Sequence, residues 1–462
     1  MKTLDPCRTR ERIQELEWGI ATSKGIAAPL PGPSRPPSYS AQAQRWACDV
    51  GEILGLVPRW RRADLGWAHL QPDGPGAWDR AAIDRCERAL DGWLAADLRP
   101  SLSLFYLGLP GWLEERGGWM SRDTALRFAD FAAEAVRRFG DRVHRWITFA
   151  NLMTPSLADR VAGMCAPGRG LGPAGLPTVH HLLLGHGLAV RAMRAAGVGG
   201  EVGVTLPLVS AYPATTDPWD RLAVEQLESW AIRLFLDPLL LGEHRVPDEA
   251  DSAIERTGCV HDGDLKVVAE PLDYLGVFWG GPVRITAPEN LARVLPSIGS
   301  FKPMNDANRL LARLGFAVVP FDDVPTTSTG WPIVPEALAD GLAVVNELYG
   351  DRLPPLFVTE GGAADLEETG SSEPAADARR RWFAARLGWL ARLMEEGLAV
   401  RGYEYLPVMD DPPWRRHYVR LYGSAVPKGR SLTLPAAPYN WTGAAVFSPR
   451  RTPEFPAMLH AL

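Results

Sequence analysis

Several features that would point to particular classes of protein are missing from this chain of 462 residues. Its five cysteines are odd in number and scattered without C-x-x-C spacing, which argues against a disulfide framework and a structural zinc site. The formal net charge is −6 with both signs mixed, so there is no basic patch for nucleic acid. No apolar run is long enough to span a bilayer, and the first 17 residues are charged where a signal peptide would be apolar. We therefore expect a cytoplasmic protein with no membrane or nucleic-acid partner.

The order of the predicted elements indicates the fold class. Short apolar runs typical of buried strands alternate with amphipathic stretches that have helical spacing. The strand-like runs are 18–23, 59–65, 102–106, 146–150, 203–209, 274–279, 356–360 and 402–409, and the helix-like stretches are 78–96, 121–138, 179–196, 221–235, 334–348 and 377–396. We predict an α/β fold, a single-domain (β/α)8 TIM barrel over residues 1–462, with loops at 27–40, 247–267 and 425–449.

One carboxylate follows a strand-like run directly. The apolar residues up to Val358 predict a strand, and two glycines after Glu360 end it. Glu360 is thereby placed at the carboxyl end of a strand, where barrel enzymes keep their catalytic groups. A structural role is the alternative, in which Glu360 caps the next turn or pairs with an arginine.

Motifs along the chain resemble those of the family 1 glycoside hydrolases, the β-glucosidase family. Val358-Thr359-Glu360-Gly361-Gly362 is similar to the family's nucleophile motif, I/V-T-E-N-G. Other similar motifs occur in family order at 16–23, 67–74, 117–119, 139–148, 166–187 and 401–414. The resemblance covers the chain from about residue 16 to about residue 422 and implies the same barrel, with Glu360 as the nucleophile.

The acid/base position implied by this resemblance is changed. Retaining glycosidases use two carboxylates about 5 Å apart, one as nucleophile and one as acid and then base. The family has the second carboxylate in an N-E-P motif after strand four, where this chain has Ala150-Asn151-Leu152. Asn151 therefore stands at the acid/base position, and an amide does not exchange protons at neutral pH. The loss predicts a rate reduction of roughly 10²–10⁴-fold on an ordinary alkyl glycoside.

The positions that bind sugar hydroxyls in the family are also replaced. Ile26 stands in place of a glutamine, Tyr106-Leu107-Gly108 in place of H-W-D, Phe278-Trp279-Gly280 in place of N-Y-Y, and Pro413 in place of a carboxylate. Sugar recognition depends on dense hydrogen bonding, so these changes predict an apolar mouth. The residues expected to line it are Arg62, Tyr106, Asn151, Trp279, Glu360, Leu406 and Trp414.

Some polar side chains on the predicted strands are candidates for the missing functions. Arg62 falls where the family has an arginine beside the nucleophile, and Asp64 shares its face by the two-residue period. The same period directs Glu404 towards the barrel lumen. Asp64, Glu404 and Tyr106 are candidate proton donors or substrate-binding groups. The alternative is that Asp64 only neutralises Arg62 and that Glu404 is a paired core carboxylate.

Three functional interpretations remain open. We favour an enzyme that keeps Glu360 but acts on a less polar small molecule, by isomerisation, elimination or cyclisation in specialised metabolism. A glycosidase or transglycosidase that cleaves an activated glycoside, whose leaving group needs no acid, is the second. A binding protein without turnover is the third. His180, His181 and His186 share one predicted helix without metal-site geometry, so we expect neither a metal nor another cofactor. The substrate and the oligomeric state are left open.

Overall fold

The computed structural model describes residues 6–28, 50–51, 54–163, 169–244, 254–294, 308–309, 311–321, 324, 332–359 and 375–406. Glu360, Trp414 and the predicted loop at 425–449 lie outside these residues, as does most of the predicted loop at 27–40.

Eight parallel strands close a barrel. They are β1 (Glu17–Gly25), β2 (Trp60–Asp64), β3 (Arg99–Phe105), β4 (Arg145–Phe149), β5 (Glu201–Pro213), β6 (Tyr274–Thr286), β8 (Leu356–Thr359) and β9 (Val400–Tyr405), while β7 (Ala317–Val319) is a short extra strand. The order is β5-β4-β3-β2-β1-β9-β8-β6, and β6 pairs with β5 to complete the circle. The predicted (β/α)8 barrel is confirmed.

Helices cover the outside of the barrel. The longer ones are α1 (Pro6–Gln14), α2 (Arg80–Ala95), α3 (Arg122–Phe139), α4 (Pro177–Ala195), α5 (Pro218–Glu228), α6 (Leu234–Leu241), α7 (Ala337–Tyr349) and α8 (Ala375–Glu395). Shorter helical turns span Trp67–Leu70, Gly111–Glu114, Gly118–Met120, Thr154–Val161, Gly172–Gly175, Ser229–Arg233, Asp264–Val268, Pro288–Asn290, Leu291–Val294, Ala312–Leu314 and Gly350–Arg352. Across the described ranges, no helix is both long enough and apolar enough to cross a membrane.

The structure differs from the predicted elements at a few places. The predicted loop at 247–267 lies outside the described residues as far as 253, and it is wrong at its end, because the helix Asp264–Val268 forms there. Strands β5 and β6 are longer than predicted, since they stay paired beyond the rim as far as Pro213 and Ile285. Strand β7 pairs antiparallel with this extension of β6 and so lies outside the parallel barrel. Its three residues are too short to show a period in the sequence.

Local sequence explains where several helices begin and which face they bury. The side chain of Asp79 caps α2 by accepting a hydrogen bond from the backbone N–H of Ala82 at 2.6 Å. On α3, apolar residues at helical spacing face the barrel, and the ring of Phe131 stacks on Trp67 with centroids 5.1 Å apart. Aromatic contacts of this kind fill the layer between strands and helices.

The barrel lumen has a small apolar core of its own. Ile147, Tyr274 and Phe357, from β4, β6 and β8, form a buried cluster separate from the outer core. A Cβ atom at Gly402 would overlap the Phe357 ring, so only glycine leaves room for that ring inside the barrel. Alternate residues of each strand point into this space, and they bring the polar side chains described next into one column.

Candidate active site

A network of charges closes the amino-terminal end of the lumen. Arg145 begins β4 and is 1% exposed, and its Nη2 donates to Glu17 Oε2 at 2.6 Å. Its Nε lies 3.4 Å from Glu201 Oε2, and both glutamates also pair with Arg401. The Arg145 guanidinium stacks 3.8 Å from the centre of the Phe357 ring. This network lies at the end of the barrel opposite the catalytic face and has the contacts of a structural element.

Arg62 and Glu404 extend this column of charge towards the mouth. Their side chains are 3% and 1% exposed, and Arg62 Nε lies 3.8 Å from Glu404 Oε2. The other carboxylate oxygen of Glu404 lies 3.6 Å from Arg145 Nη1. Glu404 therefore connects the network at the base with Arg62, and its contacts match those of a paired core carboxylate.

Asp64 is the last residue of β2, two positions beyond Arg62. It is in register with Ser103 of β3, whose hydroxyl donates to Asp64 Oδ1 at 3.2 Å. Burial raises the pKa of Asp64 to about 7, although the Ser103 hydrogen bond, the charge of Arg62 and the Gly66 N–H act in the opposite direction. A carboxyl group with this pKa is present in both protonation states at neutral pH, so it can act as an acid or as a base.

Asn151 lies just beyond the carboxyl end of β4 and is buried. Its Oδ1 accepts a hydrogen bond from the backbone N–H of Thr154 at 3.0 Å, at the start of the helical turn Thr154–Val161. The amide thus caps the segment that follows the strand. At this position the chain offers a capping amide and no proton donor.

The structure describes some of the other predicted site residues and not others. Tyr106 directly follows β3 and Leu406 directly follows β9, and both are half-buried. Trp279 lies within β6, in register with Leu208 of β5. Glu360 follows Thr359, the last residue of β8, but is not among the described residues, and neither is Trp414. Of the predicted site residues, the structure joins Arg62 to Glu404 in one ion pair.

Three further hydroxyls on lumen-facing positions were not singled out from the sequence. Ser101, Thr205 and Thr359 are at most 1% exposed, and their oxygens have no hydrogen-bond partner among the described residues. The signal was present on β3, where Ser101 and Ser103 alternate with Leu102 and Leu104 at the two-residue period. These hydroxyls make the described part of the lumen polar, whereas the sequence predicted an apolar mouth.

An apolar pocket adjoins the segment that Asn151 caps. It is partly open to solvent, with about 510 Å³ of empty space that includes the solvent at its opening, and its walls include Met153, Leu157, Val209, Trp230 and Phe316. These residues come from the turn after β4, the rim extension of β5, the helical turn after α5 and the approach to β7. None of them is among the residues predicted to line the mouth, so the sequence did not reveal this pocket.

The histidines on α4 fasten the helix to its neighbours. His180 pairs with Asp264 at 2.8 Å, His181 bonds the Trp119 carbonyl oxygen at 3.0 Å, and His186 bonds the Thr148 hydroxyl at 2.7 Å. Burial lowers the pKa of His181 to about 4 and that of His186 to about 3, so both are neutral at pH 7. Within the described part of the chain, no group of three His, Cys, Asp or Glu side chains is placed to hold a metal ion.

Comparisons with known proteins identify the family. The model of glycosyl hydrolase family 1 matches residues 40–426. Thermostable beta-glucosidase B of Thermobispora bispora is 35% identical over 387 residues, covering 81% of this chain and 73% of the relative. Beta-glucosidase A of Acetivibrio thermocellus is 28% identical, covering 82% and 80%.

Solved structures have the same fold. The AHE enzyme of Alicyclobacillus herbarius has a TM-score of 0.66 at 27% identity, over 86% of this chain and 89% of its own. The psychrophilic beta-glucosidase BglU of Micrococcus antarcticus has a TM-score of 0.66 at 26% identity, over 88% and 91%. The barrel, the order of motifs and these matches agree, and the chain belongs to glycosyl hydrolase family 1.

Proposed function

We propose that this protein is a family 1 barrel enzyme that acts on a less polar small molecule than a glucoside, with Glu360 as its nucleophile or base. Isomerisation, elimination and cyclisation are the reaction types that need such a carboxylate without needing recognition of sugar hydroxyls. The motif match at Glu360 and the arginine at position 62 support an enzyme rather than a binding protein.

The main support for this proposal is that the side chain of Asn151 is a buried, hydrogen-bonded amide. An ordinary glycosidase of this family needs a second carboxylate at the end of β4, where this chain has an amide whose oxygen is 3.0 Å from the Thr154 N–H. The side chain is 3% exposed. A buried capping amide has no proton to give a leaving group, so cleavage of an unactivated glycoside lacks its acid.

The surroundings of Asn151 support a less polar substrate. The pocket beside the capped segment has only apolar side chains in its lining. Ligand pockets of this character bury apolar groups and use a few polar contacts for orientation.

Activity-guided metabolite analysis tests the proposal. An extract of the source organism is incubated with the wild-type protein and, separately, with the Glu360→Gln variant. We expect at least one apolar metabolite to be converted only by the wild type, into a product of equal mass or of a mass lowered by a small leaving group. Conversion of the same metabolite at the same rate by Glu360→Gln would contradict the proposal.

The second candidate function is hydrolysis or transglycosylation of an activated glycoside, with Glu360 as nucleophile. The names of the relatives favour it, since those given above include two beta-glucosidases at 35% and 28% identity. An amide at the acid/base position is compatible with a leaving group that departs without a proton. Under this candidate, azide or formate would raise the cleavage rate of aryl glucosides by the wild-type protein, because a small anion can take over the second half of the reaction.

A further inference from the structure

Two helical turns of an uncommon kind form part of the wall of the apolar pocket. In the turn Thr154–Val161, the Ala162 N–H donates to the Leu157 carbonyl oxygen at 2.7 Å, a bond that spans five residues and makes the turn a π-type one. The turn Ser229–Arg233 is of the same type. Turns of this type are rare in proteins and occur frequently at functional sites. Leu157 of the first turn and Trp230 of the second both line the pocket.

Another part of the wall continues the lumen face of β5. A Cβ atom at Gly203 would lie 2.6 Å from the ring of Tyr274, which belongs to the cluster inside the lumen, so Gly203 faces the lumen. By the two-residue period, Val209 shares that face six residues later. Six residues advance a strand by roughly 20 Å towards its carboxyl end. Val209 lines the pocket, which therefore adjoins the mouth end of the lumen.

The pocket also adjoins the position of the missing acid. Met153 lines it and lies two residues after Asn151. The hydrogen bond from the Thr154 N–H to the Asn151 side chain, at 3.0 Å, fixes the backbone between the end of β4 and the pocket. A molecule seated at the ends of β4 and β5 is therefore within reach of the pocket.

We propose that the pocket binds the hydrocarbon part of the substrate, an uncharged aromatic or alicyclic group of one or two rings. This inference rests on the proposed function and names the class of molecule on which the enzyme acts. Every residue in the lining is apolar. A hydroxyl, an amide or a charge placed there would lose its hydrogen bonds to water without replacement, which costs free energy. The pocket thus selects a bare hydrocarbon group over a sugar.

The volume of the pocket limits the size of that group. An apolar cavity of about 150 Å³ holds one benzene molecule. The space of about 510 Å³ includes solvent at the opening, so it is an upper bound that corresponds to about three such rings. A group of one or two rings fits below this bound.

A neutral fluorescent probe tests binding without turnover. The probe is N-phenyl-1-naphthylamine, an uncharged molecule whose emission rises in an apolar site. Ala158→Leu and Ala231→Leu each place a larger side chain in the pocket, one from each π-type turn. We expect each variant to raise the Kd of the probe by roughly tenfold or more, because the leucine takes up space that the rings need.

Two more variants separate loss of the pocket from a folding defect. Leu157→Gln leaves the size of the side chain nearly unchanged and adds an amide to the lining, so it should also weaken probe binding. Ala133→Leu is the matched control, because Ala133 lies on α3 away from the pocket and is 7% exposed, as Ala158 is. This control should leave the Kd of the probe unchanged.

Turnover of the metabolite found in the extract assay relates the pocket to the substrate. That metabolite should displace the probe from the wild-type protein. Ala158→Leu and Ala231→Leu should raise its KM by roughly tenfold and leave kcat near the wild-type value, since contacts with a non-reacting group bind the substrate and the transition state alike. A gap in packing with no ligand would give the opposite pattern, in which the filled variants gain stability and keep the KM of the wild type.

The pocket and the function can fail separately. If the filled variants keep the wild-type Kd for the probe, or the wild type does not bind the probe, the assignment of the pocket is wrong and the proposed function stands. If probe binding is lost but the KM of the metabolite is unchanged, the pocket does not hold the substrate and the inference is again wrong. If Glu360→Gln converts every metabolite that the wild type converts, at the same rate, the proposed function is contradicted and the inference falls with it.

Discussion

The charge column in the lumen makes a quantitative prediction about stability. Glu404 is 1% exposed and lies 3.8 Å from Arg62 Nε and 3.6 Å from Arg145 Nη1. Glu404→Gln keeps the shape of the side chain and removes its charge. The buried guanidinium of Arg62 then loses the carboxylate beside it, which is the case in which breaking a buried pair is expensive.

The expected loss of stability in Glu404→Gln can be estimated from the contacts of its two arginine partners. Loss of one partner of a buried ion pair costs about 3–5 kcal/mol. Arg145 retains Glu17 at 2.6 Å and Glu201 at 3.4 Å, so its loss is partly compensated. We therefore expect Glu404→Gln to lower the free energy of unfolding by about 3 kcal/mol, the lower end of that range. With an unfolding entropy of about 2.1 cal/mol/K per residue, this corresponds to a fall in Tm of roughly 3 °C for a chain of this length.

Differential scanning calorimetry checks the prediction at pH 7 and fixed salt. The control is Glu396→Gln, which removes the same charge from an exposed pair with Arg392 at 3.1 Å. An exposed pair contributes about 0–1 kcal/mol, so the control should lose less than about 1 °C. Equal Tm values for the two variants would refute the view that Glu404 holds Arg62 in the lumen.

Two further predictions follow from the same structure. Glu360→Gln should abolish turnover while lowering Tm by less than Glu404→Gln does, because Glu404 still lies beside Arg62; a Tm loss of several degrees with full activity would instead assign Glu360 a structural role. Asp264→Asn should cost about 2–4 kcal/mol at pH 7, since Arg122 and His180 both bond that carboxylate. These contacts hold the pKa of Asp264 well below its usual range, so the stabilisation is present above about pH 4. As the pH falls further, Asp264 becomes protonated and this stabilisation of the folded state is lost. The free energies of unfolding of the wild type and of Asp264→Asn, measured by urea titration, should therefore converge in acid. A difference between them that stays constant down to pH 2 would contradict this account.

The sequence was sufficient for the barrel because its patterns are repeated and local. Strand-like and helix-like runs alternate along the chain, and the two-residue period placed Arg62, Asp64 and Glu404 on lumen faces. The contact of Arg62 Nε with Glu404 Oε2 at 3.8 Å, between strands that are not neighbours in the sheet, agrees with this placement for those two side chains.

The same local patterns did not predict contacts between residues that are distant in the sequence. Nothing local predicts that Glu404 lies between Arg62 and Arg145, because those contacts join β9 to β2 and β4 across the lumen. The pocket beside Met153 was missed for the same reason, since its walls come from segments that meet only in the folded chain. The capping role of Asn151 depends on the backbone of the turn that follows it, which a comparison of residue types does not contain.

Turnover of simple β-glucosides tests the central claim most directly. Purified protein is assayed with p-nitrophenyl and methyl β-glucoside beside thermostable beta-glucosidase B of Thermobispora bispora, the relative at 35% identity. With no acid at Asn151 and with the sugar contacts replaced, we predict kcat/KM values lower than those of the relative by roughly 10²-fold or more. Turnover of both glucosides at the rate of the relative would contradict the claim that this barrel has given up ordinary glucoside hydrolysis.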